Sequence, residues 1–255
     1  MTDILEIACI IPTFESLDLV TTCLDSVLAQ TGIATQIIVT DDSRGDRVRR
    51  YIADTERLHG VGAYVEGART GNPVDNWNHG LARATASARV LIHQDEILLD
   101  PRYLRDAVDA LDRTGAAAAI GRTVLTGGLR PSRHAAVAAI GRRLPRAERF
   151  LPMINWIGPT AAFVFRGDHR FDRDLVQLVD VEFCGRVLKT GAHVVLPGPR
   201  VGSRGYHHEQ ITAAIDPVAL ALDELDSLAA RFPPAIGPFT HVAAKLATRA
   251  RRWSR

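Results

Sequence analysis

Two rhythms of hydrophobic and polar positions alternate through the first half of the chain. Residues 6–12, EIACIIP, make a short run rich in β-branched side chains, which predicts a buried strand. Leu17, Val20, Leu24 and Val27 then recur at helical spacing, with Ser16 placed as an N-cap. QIIVTD (36–41) predicts a second strand and GAYVE (62–66) a weaker third. Val74, Trp77, Leu81 and Ala84 form a helical stripe, in which Trp77 reads as core. RVLIH (89–93) predicts the next strand, and Leu104, Val108 and Leu111 stripe the helix after it.

Strands alternating with helices in this way imply crossover units. The expected fold class is α/β, with a mainly parallel central sheet covered by helices on both faces. Ligands in such sheets sit beyond the carboxyl ends of the strands. The residues leaving those ends are Thr13-Phe14-Glu15, Asp41-Asp42-Ser43 and His93-Gln94-Asp95-Glu96. Three strand ends therefore bring five carboxylates to one rim.

The second half is less regular. Residues 122–150 are rich in Arg, Gly and Pro and read as a mobile loop or a short helical excursion. Order returns with AAFVFRG (161–167), a helix near 180–190 and AHVVLP (192–197). Val218, Leu222, Leu225, Ala229 and Phe232 predict an amphipathic helix, and a terminal helix follows the PPAIGP break. The expected division is an α/β domain over 1–215 and a C-terminal helical extension over 216–255.

Composition narrows the class. A chain of 255 residues with 46% hydrophobic and 24% charged positions is ordinary for a globular protein with a substantial core. Cys9, Cys23 and Cys184 are odd in number and set in apolar segments, which predicts buried thiols in a reducing compartment. The acidic start MTDILEIACIIP lacks the pattern of a signal peptide, and no apolar run approaches the ~18–20 residues of a spanning helix. The expected location is cytoplasmic. Phe239, Val242, Leu246, Ala250 and Trp253 share one helical face flanked by Lys245, Arg249 and Arg252. Residues 239–255 thus fit either a peripheral contact with anionic lipid or a helix docked on its own domain. The arginines of 122–149 fit an anionic acceptor or a solvated loop; without interleaved aromatics they do not read as a nucleic-acid surface.

Carboxylates gathered on one rim repel unless a cation or hydrogen-bond donors offset them. A hard divalent cation does this, as does a nucleotide offering base N–H or ribose hydroxyl groups. Helix capping is the plainer alternative, with Asp100 and Ser43 in cap positions. Several segments, in order, resemble the family 2 glycosyltransferases of GT-A fold over roughly residues 6–215. They are IACIIPTFESLDLVTTCLDSVLAQT, IIVTDDSRGD, GNPVDNWNHGLARATASARVLIHQDEILLDP, NWIGPTAAFVFR, VDVEFCGRVLKTG and YHHEQIT. The third resembles the subgroup whose metal motif reads Gln-Asp-Asp.

The resemblance implies a GT-A sheet with a small acceptor-side subregion and C-terminal helices. It implies inverting transfer from a nucleotide-sugar, with UDP as the expected nucleotide, to a saccharide or lipid-linked glycan. Pro12, Thr13, Glu15 and Asp41 would lie at the nucleoside, with Asn76, Asn78, Gln94 and Asp95 along the nucleotide-sugar. Asp95 and His207 would attend the metal, Mn²⁺ or Mg²⁺, with Gln210 nearby. Asp180 would be the general base, kept ionised by the dipole of the helix it begins. Trp156, Gly158 and Glu182 would lie on the acceptor side. His93 replaces the usual acid and reads as a core residue, a softer ligand or a shaper of the pocket. Glu96 stands where Asp is usual, and Arg204 lies one place from the family's basic residue. A sugar nucleotidyltransferase would want a Gly-rich basic loop after the first strand, which PTFESLDLV lacks. A degenerate, binding-only member is the other alternative, and Asp95 and Asp180 argue against it.

Overall fold

The computed structural model describes residues 6–125, 147–152, 155–203, 217–231 and 245. The strands are β1 (Ile7–Thr13), β2 (Thr35–Asp41), β3 (Gly62–Glu66), β4 (Ala88–Leu91), β5 (Glu96–Leu98), β6 (Ala118–Leu125), β7 (Phe163–Arg166) and β8 (His193–Ser203). The helices are α1 (Leu17–Leu28), α2 (Arg47–Thr55), α3 (Pro73–Leu81), α4 (Tyr103–Thr114), α5 (Val179–Leu188) and α6 (Pro217–Arg231). Short 3₁₀ turns occupy Ala147–Phe150 and Thr160–Ala162.

The strands form one sheet in the order β3-β2-β1-β4-β7-β6-β8-β5. The pairs β1/β2, β2/β3, β1/β4 and β6/β8 are parallel, whereas β7 runs antiparallel to both β4 and β6, and β5 to β8. The expected α/β class with a mainly parallel sheet is therefore what the chain adopts. Every residue of β1 is buried, because both faces of this central strand are covered. Ile7, Cys9 and Ile11 face one core with α1 and α4, while Ala8 and Ile10 face the other with α3, α5 and α6. Gly80 lets α3 close on β1: a Cβ there would stand 2.5 Å from Ile10 Cγ2.

Several expectations shift in detail. Ser16 occupies the N-cap position of α1 but makes no side-chain cap bond. Asp100 precedes α4 as a turn residue, accepting from Arg102 N at 2.8 Å while its other oxygen pairs with Arg200. The buried stripe of α6 is Ala221, Glu224, Leu225 and Leu228, rotated from the expected one, with Leu222 at its margin. All three cysteines are buried and free. Among the described residues no helix is long and apolar enough to cross a membrane. The 239–255 segment lies outside the described residues except Lys245, whose Nζ stands 2.7 Å from Asp226 on α6.

The strand order reverses at β1. The chain moves outward from β1 to β2 and β3, then returns to place β4 on the opposite side of β1. The crevice beyond the carboxyl ends of β1 and β4 is the switch point at which open α/β sheets hold ligands.

Candidate active site

On the β2 side of that crevice, Asp41 is 1% exposed and its carboxylate is fully engaged. Oδ1 accepts from Thr13 Oγ1 at 3.1 Å and Ser43 N at 2.9 Å, and Oδ2 accepts from the Tyr64 hydroxyl at 2.9 Å. Asp41 thus binds the ends of β1, β2 and β3 into one wall, with Pro12 and Thr13 buried behind it. Glu15 is exposed on the rim at φ 56°, with Ser43 Oγ accepting from its N–H at 2.7 Å and Arg44 N donating to its Oε1 at 2.8 Å. Asp42, half-buried, accepts from Arg69 N at 2.8 Å. Asp42, Ser43 and Tyr64 complete this wall, and of these Tyr64 did not stand out in the sequence as a site residue.

Gly67 closes the same wall. An added Cβ would collide with Asp42 Oδ1 and lie 2.6 Å from Asn76 Oδ1 and 2.9 Å from the Asp41 carbonyl carbon. Gly67→Ala should therefore cost about 1–3 kcal/mol through displaced backbone. Thermal unfolding checks this, and an unchanged midpoint would show that the wall yields freely.

The asparagines of α3 are mostly fasteners. Asn72 caps the helix through Val74 N at 3.0 Å. Asn78 donates to Phe171 O at 2.9 Å and accepts from Phe171 N at 2.8 Å, so its amide holds the loop that leads to α5. Asn76 donates to Thr40 O at 3.1 Å, and its Oδ1 is buried with no partner among the described residues.

The stretch after β4 carries the densest chemistry. Gln94 makes reciprocal bonds to the Phe14 backbone, accepting from its N–H at 2.9 Å and donating to its carbonyl at 3.1 Å. Its amide therefore spans the switch crevice and pins the β1 loop, leaving the Phe14 ring 51% exposed. Asp95 is half-buried in the tight turn closed by Glu96 N to His93 O at 2.9 Å. Glu96 turns inward and is 3% exposed, so it leaves the acidic rim expected of it. One of its oxygens accepts from His93 N at 3.0 Å, Ala161 N at 3.0 Å and Thr160 Oγ1 at 3.3 Å. Burial pushes its carboxyl up to about 7, opposed by His93 and reinforced by Asp95. His93 lies edge-on to Trp77 with ring centroids 4.7 Å apart.

Asp180 begins α5. Its Oδ1 is buried with no hydrogen-bond partner among the described residues. Burial raises its carboxyl above the usual aspartate range, and His93 nearby acts in the opposite direction. Desolvation here acts against the helix dipole, which favours the ionised form. Glu182, two positions on, is held by Arg186 through bonds of 2.8 and 3.0 Å. Trp156 is fully buried, so it supports the 155–158 loop from beneath and presents no face to an acceptor. Asn155 shapes that loop by accepting from Gly158 N at 3.0 Å, and Gly158 adopts φ 99°. Arg204, His207 and Gln210 lie outside the described residues. Among the described residues no cluster of three or more His, Cys, Asp or Glu is placed to hold a metal by itself.

The comparisons agree with this architecture. In complex with UDP, residues 1–349 of S. aureus TarS share 16% identity with the chain at a TM-score of 0.60, over 87% of this chain and 65% of that one. A longer TarS structure matches at a TM-score of 0.61 and 16% identity, over 87% of this chain but 40% of its own length. The mannosyltransferase PcManGT from Pyrobaculum calidifontis, in complex with GDP-Man and Mn²⁺, shares 15% identity at a TM-score of 0.69, over 100% of this chain and 77% of that one. The chain thus spans less than two thirds of the TarS structures, and at these identities the likeness shows the GT-A fold alone. No curated protein matches the chain in sequence. The family model for glycosyl transferase family 2 matches residues 8–170, which include β1 to β4 and the turn that carries Asp95. A match over well over half of the chain, on the fold those enzymes use, makes this protein a member of glycosyl transferase family 2.

Proposed function

We propose that the protein transfers a sugar, with inversion, from a nucleoside diphosphate sugar to a hydroxyl of a saccharide or lipid-linked glycan. The observation that carries this reading is Asp180. Its carboxylate has one buried oxygen with no partner among the described residues and a raised affinity for a proton, while Glu182 beside it is engaged by Arg186. A general base needs both an unengaged oxygen and a proton affinity near that of the working medium. In the proposed step Asp180 takes the proton of the acceptor hydroxyl as its oxygen attacks the anomeric carbon. The bond to the diphosphate breaks on the opposite face, so configuration inverts.

The donor is assigned to the switch crevice, with its nucleoside against the wall of Thr13, Glu15 and Asp41. The complexes of TarS with UDP and UDP-GlcNAc, and of PcManGT with GDP-Man, support a nucleotide-sugar as the ligand class. Uridine is the first base to test. A metal fits the residues present in one way. Asp95 is the acid of the β4 turn that remains on the rim, Glu96 having turned inward. A hard cation that takes one carboxylate and completes its shell with substrate phosphates suits that donor set. Asp95 would hold Mn²⁺ or Mg²⁺, which supplies electrostatic stabilisation of the leaving diphosphate. His207 is a second proposed contact. The 216–255 extension is assigned to support of the catalytic domain, with peripheral membrane contact through 239–255 left to vesicle binding to decide.

The test is release of nucleoside diphosphate from a set of sugar nucleotides, with the anomeric configuration of the product read by NMR. Metal-dependent release with an inverted product is expected. Asp95→Ala should weaken nucleoside diphosphate binding about tenfold or more in Mn²⁺ and leave metal-free binding unchanged. Full activity in EDTA, or a retained anomer, would overturn the mechanism.

A further inference from the structure

Helix α5 carries Asp180 in its first turn, yet its N-cap residue is Leu178, which has no side-chain oxygen to offer. The orphan N–H groups of such a start need an acceptor. An acceptor for the N-cap N–H and for the two N–H groups before it arrives from α6, 46 residues further along the chain. Glu224 of α6 is 5% exposed and places its carboxylate across three consecutive N–H groups. Oε1 accepts from Val176 N at 2.7 Å and Gln177 N at 3.1 Å. Oε2 accepts from Gln177 N at 3.1 Å and Leu178 N at 2.7 Å.

A buried acid in the apolar stripe of an amphipathic helix is costly unless it is fully bonded. Here both oxygens are bonded, to the segment that immediately precedes the proposed base. Ala221, Leu225 and Leu228 fix α6 in the same core cluster as Leu175, Leu178 and Val179, so the carboxylate sits on a packed element. From the other side, Asn78 holds Phe171, whose ring stacks on Phe183 of α5 with centroids 3.9 Å apart.

We propose that Glu224 is a positioning residue: it clamps residues 176–178 and so sets where the first turn of α5 presents Asp180 to the acceptor. The proposal rests on the reading of Asp180 as the base. It gives the C-terminal helix a part in turnover beyond that of a packed support. Displacement of a reacting group by about 1 Å can cost about a hundredfold in rate, so a modest loosening of the clamp should show in kcat. The donor crevice at β1 and β4 is separate from the clamp, so donor KM should not move.

Glu224→Gln sets an amide N–H₂ against a backbone N–H, while Glu224→Asp keeps the charge on a shorter stem. Both are compared with wild type, with Asp180→Asn and with Leu111→Ala, which loosens α4 in the core on the other face of the sheet without touching α5 or α6. Nucleoside diphosphate release is measured with the sugar nucleotide that wild type cleaves fastest, per folded molecule. The expected result is a fall in kcat of about tenfold or more for Glu224→Gln, donor KM within about twofold, and partial recovery in Glu224→Asp. Leu111→Ala should lower the melting temperature and keep kcat. If Glu224→Gln keeps wild-type kcat while Asp180→Asn is inactive, the clamp is structural only and the proposal fails alone. If Asp180→Asn keeps its activity, the base assignment fails and the clamp fails with it.

Discussion

Replacing Asp180 with Asn is expected to reduce sugar transfer by about 10²–10⁴-fold, the range a positioned general base supplies, while leaving donor binding intact. The same substitution should make the protein more stable. Burial raises the Asp180 carboxyl above its unfolded value, so the folded state binds that proton more tightly than the unfolded state. The ionised form is therefore the destabilising one: its cost is present above the raised value and disappears as pH falls through it. Asn removes the charge from a site where Oδ1 has no partner among the described residues. A gain in stability is expected at neutral pH, because a neutral amide needs no desolvation of a charge. Activity runs the other way, because the base must be ionised. Transfer should decline on acidification at a pH above that of an ordinary aspartate. An inactive variant with a lowered melting temperature and lost donor binding would make Asp180 a structural residue.

Glu96→Ala should be the most destabilising change in the site. It leaves His93 N, Ala161 N and Thr160 Oγ1 buried without their acceptor, at about 1–3 kcal/mol for each group left unsatisfied. For a chain of this size that corresponds to a fall in melting temperature on the order of 10 °C. The loss should extend to turnover, since this carboxylate joins the Asp95 turn to the 160–162 segment. Glu96→Asp tests why the longer acid stands here: one methylene less withdraws the oxygen from Ala161 N. A melting temperature for Glu96→Asp equal to that of wild type would show that the reach of the side chain does not matter.

The half of the fold that was legible is the half in which each strand is buried on both faces. β1, β2 and β4 are continuous apolar runs because the sheet is covered above and below, and α1, α3 and α4 announce themselves by stripes. Helix α2 was missed because Val48 and Ile52 alone are buried in a segment otherwise crowded with charge. The Ala-rich residues 116–119 gave no strand signal, since β6 owes its pairing to β7 and β8 more than to propensity. In the site, the strand-end rule located the rim but not the direction of its side chains. Glu96 turns inward and Gln94 turns to Phe14 because their partners lie 64 and 80 residues away, where local pattern says nothing. Trp156 was placed on the acceptor side by the family resemblance, and its side chain is fully buried. A signal for Glu224 did exist: an acid at the i+3 position of the stripe Ala221, Leu225, Leu228.

The most direct measurement is a thermal-shift panel of UDP, GDP and their sugars, each with and without Mn²⁺, on wild type and Asp180→Asn. A ligand at a hundred times its dissociation constant adds about 2.7 kcal/mol, or a shift on the order of 5–10 °C for a chain of this size. One nucleotide family should stabilise both proteins equally in Mn²⁺ and far less without it, as a donor site separate from the base requires. No stabilisation by any nucleoside diphosphate, or stabilisation of wild type alone, would contradict a nucleotide-sugar transferase built on Asp180.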